Sequence, residues 1–492
     1  MSDATFSPGD PYRLRIGGDW VEGGGGTYDV FNPATEELVG RAPEATVADA
    51  EAAAEQAAEA FETWSRTTPE ERAELLQKAG DLLDARKEEF FPLVQAETGA
   101  TQRVTKTMQV PQAIVRFHRY AKGAVEPDIW SAPPGISAAT ALAPGGVIGG
   151  ISAMRPVGVV ACITSFNFPL TNMAGKIGPA LARGNCVIVK PAPQDPLAVI
   201  RLVEVLDEAG FPPGVVSCIT SSSPDPAEAL VTSPHVDMVS FTGSTGVGTR
   251  IQQKGAATMT RLLLELGGKG ACLVMDDADL DAAVSGAGST WAFHSGQICT
   301  APTRVIAQRG VYDQVVEKLT QFAGFLKVGD PLERDTVVGP VITEAHRARV
   351  EAYVQAGQDD GGILAAGGKR PDMDEGWYVA PTLIADVKPS DTLAQEEVFG
   401  PVVVVIPFDD EEEGLSIVNG TDFGLYDYVF TADTTKAMEL ASRIRSGNVG
   451  LNTMQRNHEV PFGGFKMSGV GRDGGSWGMD AYSERQSVVW SA

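Results

Sequence analysis

The sequence predicts an α/β protein of two lobes, each built on a largely parallel sheet covered by helices. The chain has 492 residues, too many for one ordinary hydrophobic core. Short apolar runs alternate with helix-like stretches, which is typical of parallel strands buried on both faces. This alternation occurs twice, once before and once after the glycine pair at 267–268.

The N-terminal part precedes the first set of strands. Turn residues separate short β-like runs in RIGGDWVEGGGGTYDVFNPATEELV, which predicts one or two hairpins. Helical apolar spacing follows in TVADAEAAAEQAAEAFETW and in a segment that opens with Pro69 and closes near Gly99. One face of the first helix is apolar and comprises Val47, Ala50, Ala54, Ala57, Ala58 and Phe61.

Two sets of strands follow. The first set is PVGVVACIT, NCVIVK, GVVSCIT, DMVSFTG and RLLLEL, and the second is ACLVM, RVIAQRGVY, GGILAAGG, VVVVIPF and YDYVFTA. We predict one domain from residues 1–133 and 156–265 and a second from residues 266–474. Folds of this kind bind ligands in the cleft beside the strand ends.

Two segments, 134–155 and 475–492, fit neither lobe. The first is rich in glycine and alanine around a Pro-Gly-Gly turn, which predicts a protruding β-hairpin. The second contains DAYSERQSVVW, which predicts another exposed strand. Because unprotected strand edges usually find a partner, we expect an oligomer, and the alternative is a floppy loop and a frayed tail.

The composition argues against several classes of function. With 39 basic and 64 acidic side chains, the net charge is -25, which opposes binding to nucleic acids and anionic membranes. No apolar run approaches the length of a membrane span. Five cysteines without a C-x-x-C pair predict no disulfide framework and a reducing, cytoplasmic compartment. The five histidines are scattered, so no metal site is expected.

One cysteine differs from the others. Four lie in apolar, β-branched runs, where a thiol behaves as a small buried hydrophobe. Cys299 lies in FHSGQICTAPTR among small and polar residues, which predicts an accessible loop thiol. It is a candidate nucleophile or an ordinary surface thiol. A Cys/His pair with His294 is the weaker interpretation, because five residues along a loop do not fix hydrogen-bond geometry.

Three further signals accompany this thiol. Glu265 in LLLELGGKG follows a leucine run, where burial would suit it to general-base work, although a solvated strand end explains it equally well. Asn167 in TSFNFPL fits an oxyanion donor or a turn cap. The glycines of FTGSTGVG fit a phosphate-binding turn or an ordinary strand–helix turn. Together these signals indicate covalent thiol chemistry.

The order of several motifs resembles that of the NAD(P)-dependent aldehyde dehydrogenase superfamily. The motifs are FNFP, KIGPALARGN, VIVKP, SFTGST, LELGGK, GQICT, EEVFGPV and PFGGFKMSGVGR, and the resemblance runs from about Asn32 to Ser487. It implies an aldehyde dehydrogenase-like α/β fold. In that fold, 1–133 and 156–265 form a Rossmann-like cofactor-binding domain and 266–474 form the catalytic domain. Residues 134–155 and 475–492 then form the oligomerisation arm of a homodimer or homotetramer.

The same resemblance implies the chemistry. Cys299 is expected to attack the aldehyde, the Asn167 amide to hold the oxyanion, and Glu265 to activate the water that releases the acid. Lys176 resembles a lysine of a proton path. The residues implied to bind NAD or NADP are Thr164, Ser165, Phe166, Lys190, Ala192, Pro193, Gly243, Ser244, Leu266, Glu397 and Phe399.

Several positions depart from the family pattern. Pro193 stands where NAD-preferring relatives often carry a glutamate that grips the ribose, so NADP is as plausible as NAD. Asp473 replaces the usual glutamate after GVGR, which puts a proton-relay role there in doubt. Gly175 stands where many relatives carry a bulky aromatic, which predicts a roomy tunnel for large or aromatic aldehydes.

Alternatives stay open at this point. One is a CoA-acylating aldehyde dehydrogenase, although such relatives usually lack a carboxylate in the position of Glu265. Another is a catalytically silent member that only binds nucleotide or serves as a structural protein. Arg456 and His458 near the expected pocket mouth fit either an anionic substrate, such as a phosphorylated aldehyde or a semialdehyde, or a solvent-facing role.

Overall fold

The computed structural model describes residues 12–491. Residues 1–11 of the predicted cofactor-binding domain and residue 492 of the predicted arm lie outside the described part. No helix between residues 12 and 491 has the length and apolar character that a membrane crossing requires.

The N-terminal part contains the two predicted hairpins followed by helices. The elements are β1 (Leu14–Ile16), β2 (Asp19–Val21), β3 (Thr27–Phe31), β4 (Leu38–Pro43), α1 (Val47–Trp64), α2 (Pro69–Ala85), α3 (Lys87–Thr98), α4 (Gln102–Val104), a π-helical turn (Thr105–Gln109) and α5 (Val110–Ala124). Capping boxes at Thr46 and Thr68 satisfy the first amides of α1 and α2.

The segment expected to be one helix from Pro69 to Gly99 is two helices. The break is at Arg86, which has a φ of -104° and a ψ of 6°. Its guanidinium pairs with Glu89 and Glu208, each at 3.1 Å, and these contacts hold the chain at the corner. The expectation was wrong because apolar spacing continues across the break. Of the predicted apolar face of α1, Val47 is exposed and Trp64 is buried instead.

A long hairpin then leaves the lobe. It consists of β5 (Ile129–Ser137) and β6 (Gly146–Pro156), so it begins earlier than the predicted 134. Every residue of β5 is exposed. Trp130 and Ile136 are 74% and 91% exposed, which leaves apolar surface of the kind that marks an interface.

The first sheet follows the predicted alternation. Its elements are β7 (Val159–Ile163), α6 (Pro169–Ala182), β8 (Cys186–Lys190), α7 (Leu197–Ala209), β9 (Val216–Cys218), α8 (Asp225–Thr232), β10 (Met238–Thr242), α9 (Thr245–Gly255) and β11 (Arg261–Glu265). The five strands are parallel, in the order β9-β8-β7-β10-β11. The order reverses between β7 and β10, so a crevice for a ligand opens at the carboxyl ends of these two strands.

The second sheet belongs to the other lobe. Its elements are β12 (Ala271–Val274), α10 (Leu280–Ala292), a 3₁₀ turn (His294–Gly296), β13 (Arg304–Gln308), α11 (Tyr312–Phe325), α12 (Glu344–Asp359), β14 (Ile363–Ala366), β15 (Thr382–Ala385), α13 (Thr392–Gln395), β16 (Val402–Phe408), α14 (Glu411–Asn419), β17 (Tyr426–Phe430), α15 (Thr434–Arg443) and β18 (Asn448–Leu451). The strand order is β14-β15-β16-β13-β12-β17-β18, with β14 antiparallel and the rest parallel.

The C-terminal segment returns to the first lobe and to the arm. Its elements are a 3₁₀ turn (Lys466–Ser468), β19 (Gly469–Val470), α16 (Gly475–Ala481) and β20 (Ser483–Ser491). β19 pairs with β11, and β20 pairs with β6 along nine residues, making the three-stranded sheet β20-β6-β5. The residues 475–481 are helical rather than part of this sheet. An antiparallel β1–β2 pair extends the first sheet beyond β9.

Candidate active site

The two lobes meet where β11 ends and β12 begins. Glu265 closes β11 and Ala271 opens β12, so the carboxyl edge of the first sheet faces the amino edge of the second. Gly268 lies in this short connection against the cysteine loop. A Cβ on Gly268 would lie 2.4 Å from the carbonyl oxygen of Cys299. The loop with the candidate thiol is therefore in contact with the lobe junction.

Cys299 is the accessible cysteine among the described residues. It is partly exposed, whereas Cys162, Cys186, Cys218 and Cys272 are fully buried. Although the residue is partly exposed, the surrounding atoms desolvate its sulfur and raise the pKa of Cys299 to about 12. The carboxylates of Glu397 and Glu265 add to the rise, and Arg456 opposes it. The resting thiol is therefore protonated at neutral pH and needs a base to become a nucleophile.

His294 does not supply that base. Burial lowers the pKa of His294 to about 4, so the ring is neutral. A backbone contact with Asn167 opposes this decrease without offsetting it. The ring lies 5.6 Å from that of Phe168, centroid to centroid. These contacts agree with the interpretation that its spacing from the cysteine is incidental.

Asn167 reaches the cysteine loop from the other lobe. It follows β7, is 3% exposed, and its Nδ2 donates to the carbonyl of Gln297 at 2.8 Å. Its Oδ1 accepts from the Ser165 hydroxyl at 2.8 Å, and this contact fixes the orientation of the amide. Since an amide nitrogen has two N–H groups, one donor remains beside the loop of Cys299.

Glu265 lies in a buried charged cluster. It is 5% exposed, and neither carboxylate oxygen has a hydrogen-bond partner among the described residues. Burial raises its pKa well above the ordinary value, Asp473 adds to the rise, and Lys176, Arg472 and Arg456 oppose it. The solvated strand-end interpretation is therefore wrong. A buried carboxyl group with a raised pKa is suited to proton transfer near neutral pH.

Lys176 is buried behind this carboxyl group. Its Nζ donates to the Ser240 hydroxyl at 3.1 Å, which lies 2.8 Å from the hydroxyl of Tyr482. Burial lowers the pKa of Lys176, whereas Asp473 and Glu265 raise it. Asp473, which departs from the family pattern, is therefore part of the same electrostatic cluster.

The remaining candidates line the carboxyl edge of the first sheet. Lys190 ends β8, and its Nζ donates to the carbonyls of Pro191 at 3.1 Å and Ser221 at 3.3 Å. Burial lowers its pKa to about 8, while Glu44 and Asp195 oppose the decrease. Ala192 is buried beside it and Pro193 is partly exposed.

Other candidates surround the point where the strand order reverses. The Thr164 amide donates to the Lys190 carbonyl at 3.3 Å, and the Thr164 hydroxyl is buried with no partner among the described residues. Gly243 directly follows β10, and Ser244 caps α9. A Cβ on Gly246 would meet nothing within 4 Å, so the start of α9 is open to a ligand. Leu266 lies against α9, where Gly248 leaves room for it.

Glu397 and Phe399 approach from the catalytic lobe. Oε1 of Glu397 accepts from the amide of Gly268 at 2.9 Å, and burial raises the pKa of Glu397 to about 6. Phe399 has a φ of 59°, and its ring lies edge-on to Phe166, with the centroids 5.7 Å apart. Both residues therefore adjoin the Cys299 loop and the first-sheet edge.

Sequence reasoning assigned no role to several contacts of this site. Gln297 accepts from Asn167 and also accepts, through its Oε1, the amide of Ile342 at 2.9 Å. The Tyr428 hydroxyl donates to the carbonyl of Thr300 at 3.0 Å. Gln297 could have been found from the sequence, because it lies in the GQICT motif beside Cys299. No local pattern distinguishes Tyr428. Among residues 12–491, no group of His, Cys, Asp and Glu is arranged to hold a metal ion.

Comparison with known proteins identifies the family. The sequence profile of the aldehyde dehydrogenase family matches residues 20–488. The chain belongs to the aldehyde dehydrogenase family. Mitochondrial succinate-semialdehyde dehydrogenase of Arabidopsis thaliana is 37% identical, over 96% of this chain and 88% of the relative. The 3-succinoylsemialdehyde-pyridine dehydrogenase of a Pseudomonas species is 34% identical, over 98% of both chains.

Solved structures agree with this aldehyde dehydrogenase assignment. The crystal structure of betaine aldehyde dehydrogenase from Staphylococcus aureus in complex with NAD+ superposes with a TM-score of 0.93. The two chains are 33% identical, and the match covers 98% of this aldehyde dehydrogenase and 95% of the other chain. The predicted α/β fold class, with a Rossmann-like lobe and an α/β catalytic lobe, is therefore confirmed.

Proposed function

We propose that this aldehyde dehydrogenase oxidises an aldehyde to the carboxylic acid with NAD or NADP, through a thioester on Cys299. The observation that carries the proposal is the hydrogen bond from the Asn167 amide to the Cys299 loop, beside the buried and unpaired Glu265. The arrangement supplies a nucleophile, a hydrogen-bond donor for the oxyanion and a carboxyl group that can activate water. These are the three functions that acyl transfer to water requires.

In the first half-reaction the Cys299 sulfur attacks the carbonyl carbon after its thiol proton is taken by a base. The carbonyl oxygen becomes an oxyanion, which the free N–H of Asn167 and the Cys299 amide stabilise. The nicotinamide cofactor supplies the hydride acceptor when it is bound. Loss of hydride from the former carbonyl carbon, a transfer of two electrons, leaves the acyl group on Cys299 as a thioester.

In the second half-reaction Glu265 takes a proton from water as the water oxygen attacks the thioester. The S–C bond breaks, the carboxylic acid leaves and the sulfur regains a proton. The positive charge of Lys176 lowers the pKa of Glu265 and so favours the ionised form, which can accept the proton from water. The presence of Glu265 favours hydrolysis over transfer of the acyl group to CoA.

The residues present fit a dinucleotide. The open start of α9 and the turn at Gly243 offer amides to a pyrophosphate, and the buried Thr164 hydroxyl is an unused hydrogen-bonding group at the same edge. Lys190 and Glu397 would hold the two riboses, and Phe166 and Phe399 would border the nicotinamide. Pro193 offers a ribose no carboxylate, so the proposal includes both NAD and NADP.

Substrate size is a separate part of the proposal. The predicted preference for bulky or aromatic aldehydes is supported by a relative named for a pyridine-containing semialdehyde. In the sequence, the feature that indicates this preference is the missing side chain at Gly175. That space holds a guanidinium, because a Cβ on Gly175 would lie 1.6 Å from Nη1 of Arg116. Turnover of benzaldehyde against acetaldehyde tests the preference, and a strong preference for acetaldehyde would contradict it.

The decisive experiment combines a cofactor panel with one variant. We expect reduced cofactor to form with several aldehydes in the absence of CoA, and Cys299→Ala to abolish this while nucleotide binding persists. Cys186→Ala is the matched control, because Cys186 is buried at the amino end of β8, opposite the carboxyl edge that carries the site. Full activity of Cys299→Ala would exclude the mechanism. An absolute requirement for CoA would favour the acylating alternative, and inactivity across the panel would favour the silent one.

A further inference from the structure

Arg456 places a positive charge beside the candidate thiol. Its guanidinium carbon lies 3.9 Å from the ring centroid of Phe462, the residue before Gly463. A Cβ on Gly463 would lie 2.8 Å from Oε1 of Glu265, so the loop of Phe462 borders the catalytic carboxyl group. Phe462 and Cys299 also pack against the same hydrophobic cluster. Arg456 forms no ion pair with a carboxylate of residues 12–491.

Arg116 brings a second guanidinium to the same region from α5. Its Nη1 fills the space above Gly175, one residue before the buried Lys176. Its one carboxylate partner among the described residues is Asp473, at 3.8 Å, close to the limit for an ion pair. Asp473 and Phe462 exchange backbone hydrogen bonds of 2.7 Å. Arg456 and Arg116 therefore contact the side chains of the two residues of one β-bridge, Phe462 and Asp473, and their charges repel each other.

The neighbouring carboxylates offer the two guanidinium groups few ion-pair partners. Glu459, the acidic neighbour on the Arg456 loop, is held by Arg119 at 2.7 Å. Burial, followed by Arg456 and Arg116, lowers the pKa of His458, so its ring is neutral at pH 7. Burial raises the pKa of Glu265, which favours the neutral form of that carboxyl group. The two guanidinium groups therefore have one ion-pair partner between them among the described residues, Asp473, in a chain whose net charge is -25.

We propose that Arg456 and Arg116 bind a carboxylate carried by the aldehyde at the end remote from its carbonyl. The proposal rests on the proposed aldehyde oxidation and names its substrate class, the semialdehydes of dicarboxylic acids. Guanidinium groups bind carboxylates through paired N–H donors. A relative named for succinate semialdehyde agrees with this class, and a cationic aldehyde would be repelled.

Paired substrates test the proposal on the whole enzyme. Succinate semialdehyde and butanal have the same chain length and differ by one carboxylate, and 4-carboxybenzaldehyde and benzaldehyde form an aromatic pair. We expect kcat/KM for the carboxylated member to exceed that of its neutral partner by about tenfold or more. Arg456→Gln should lower this ratio about tenfold, mainly through KM. Arg66→Gln, which removes an exposed arginine paired only with Glu62 among the described residues, should leave the ratio unchanged.

A charge probe of Cys299 gives a readout that needs no turnover. Iodoacetate and iodoacetamide alkylate the same thiolate and differ in charge, so the ratio of their rates cancels any change in thiolate fraction. The other four cysteines are buried, which confines the label to Cys299. Arg456→Gln and Arg116→Gln should each lower the iodoacetate to iodoacetamide ratio several-fold, by about the factor that removing one nearby charge produces, and Arg66→Gln should not.

The outcomes separate the two proposals. Two results would overturn the carboxylate site and leave aldehyde oxidation intact. One is oxidation of butanal and benzaldehyde with a kcat/KM as high as that of their carboxylated partners. The other is a kcat/KM ratio and an alkylation ratio that stay unchanged in both arginine variants. A larger gain with glyceraldehyde 3-phosphate than with succinate semialdehyde would overturn the choice of carboxylate. No oxidation of any aldehyde would overturn the proposed function and the substrate class with it.

Discussion

Gly268→Ala tests whether the lobe junction sets the position of the thiol. An added Cβ would lie 2.4 Å from the Cys299 carbonyl oxygen, whereas an ordinary contact begins at 3.4 Å. The Cys299 backbone would have to move away by about 1 Å, and a displacement of that size lowers the rate of the chemical step about 10²-fold. Because Gly268 does not have a positive φ, alanine fits its backbone and the effect comes from the new methyl group.

Two glycine variants serve as matched controls. Gly324→Ala on α11 meets nothing within 4 Å, so its kcat should equal that of the parent enzyme. Gly267→Ala would place its Cβ 2.3 Å from Oε2 of Glu397, a side chain that can move away. We expect this variant to raise mainly the KM of the nucleotide, since Glu397 is proposed to hold a ribose.

The assay is steady-state formation of reduced cofactor, with thermal unfolding measured on each variant. Gly268→Ala should keep a cooperative unfolding transition, with a loss of about 1–3 kcal/mol from overpacking, while kcat falls about 100-fold. A folded Gly268→Ala enzyme whose kcat stays within about twofold of the parent's would refute the reasoning, because the thiol would then tolerate a displaced backbone.

Three further outcomes are expected. Burial raises the pKa of Cys299 to about 12, so its alkylation by iodoacetamide should rise about tenfold per pH unit from pH 7 to pH 9.5; a plateau below pH 8.5, measured by mass spectrometry, would contradict this. Glu265→Gln should slow deacylation by about 10²–10⁴ and keep a burst of reduced cofactor. Because burial raises the pKa of Glu265, deacylation by the parent should increase with pH through that pKa, and stopped-flow absorbance would show whether the variant loses this rise. Gly175→Leu should displace the Arg116 guanidinium and lower the carboxylated-to-neutral kcat/KM ratio, and an unchanged ratio would count against a role for Arg116.

Strands with strong local signals were predicted from the sequence, and weaker ones were not. The strands β7, β8 and β12 are buried along their whole length, so their apolar runs were visible without any tertiary information. β15 and β18 have four residues each, and β18 has only one buried position. Their pairing with β16 and β17 decides that they are strands, and no local run of residues encodes that pairing.

The candidate site shows the same division. Cys299 and Glu265 contrast with their own neighbours in sequence, so both could be selected from short motifs. The bond from Asn167 to Gln297 joins residues 130 positions apart, and no spacing argument predicts it. The buried state of Glu265 also could not be decided from LLLELGGKG, since a strand end is buried only when another segment covers it. Here β19 and the loop at Gly463 do so.

Gly175 shows why one missing side chain cannot be interpreted alone. From the sequence, the glycine indicated volume for the substrate, because nothing local occupies the space above it. In the folded chain that space belongs to Arg116, which lies 59 positions earlier on a different helix. The space above Gly175 is therefore occupied by a positively charged group. The position of the Arg116 guanidinium then decides whether the enzyme prefers a large aldehyde or an anionic one. Charge and volume at this position are alternatives, because the guanidinium and a bulky apolar group would occupy the same space.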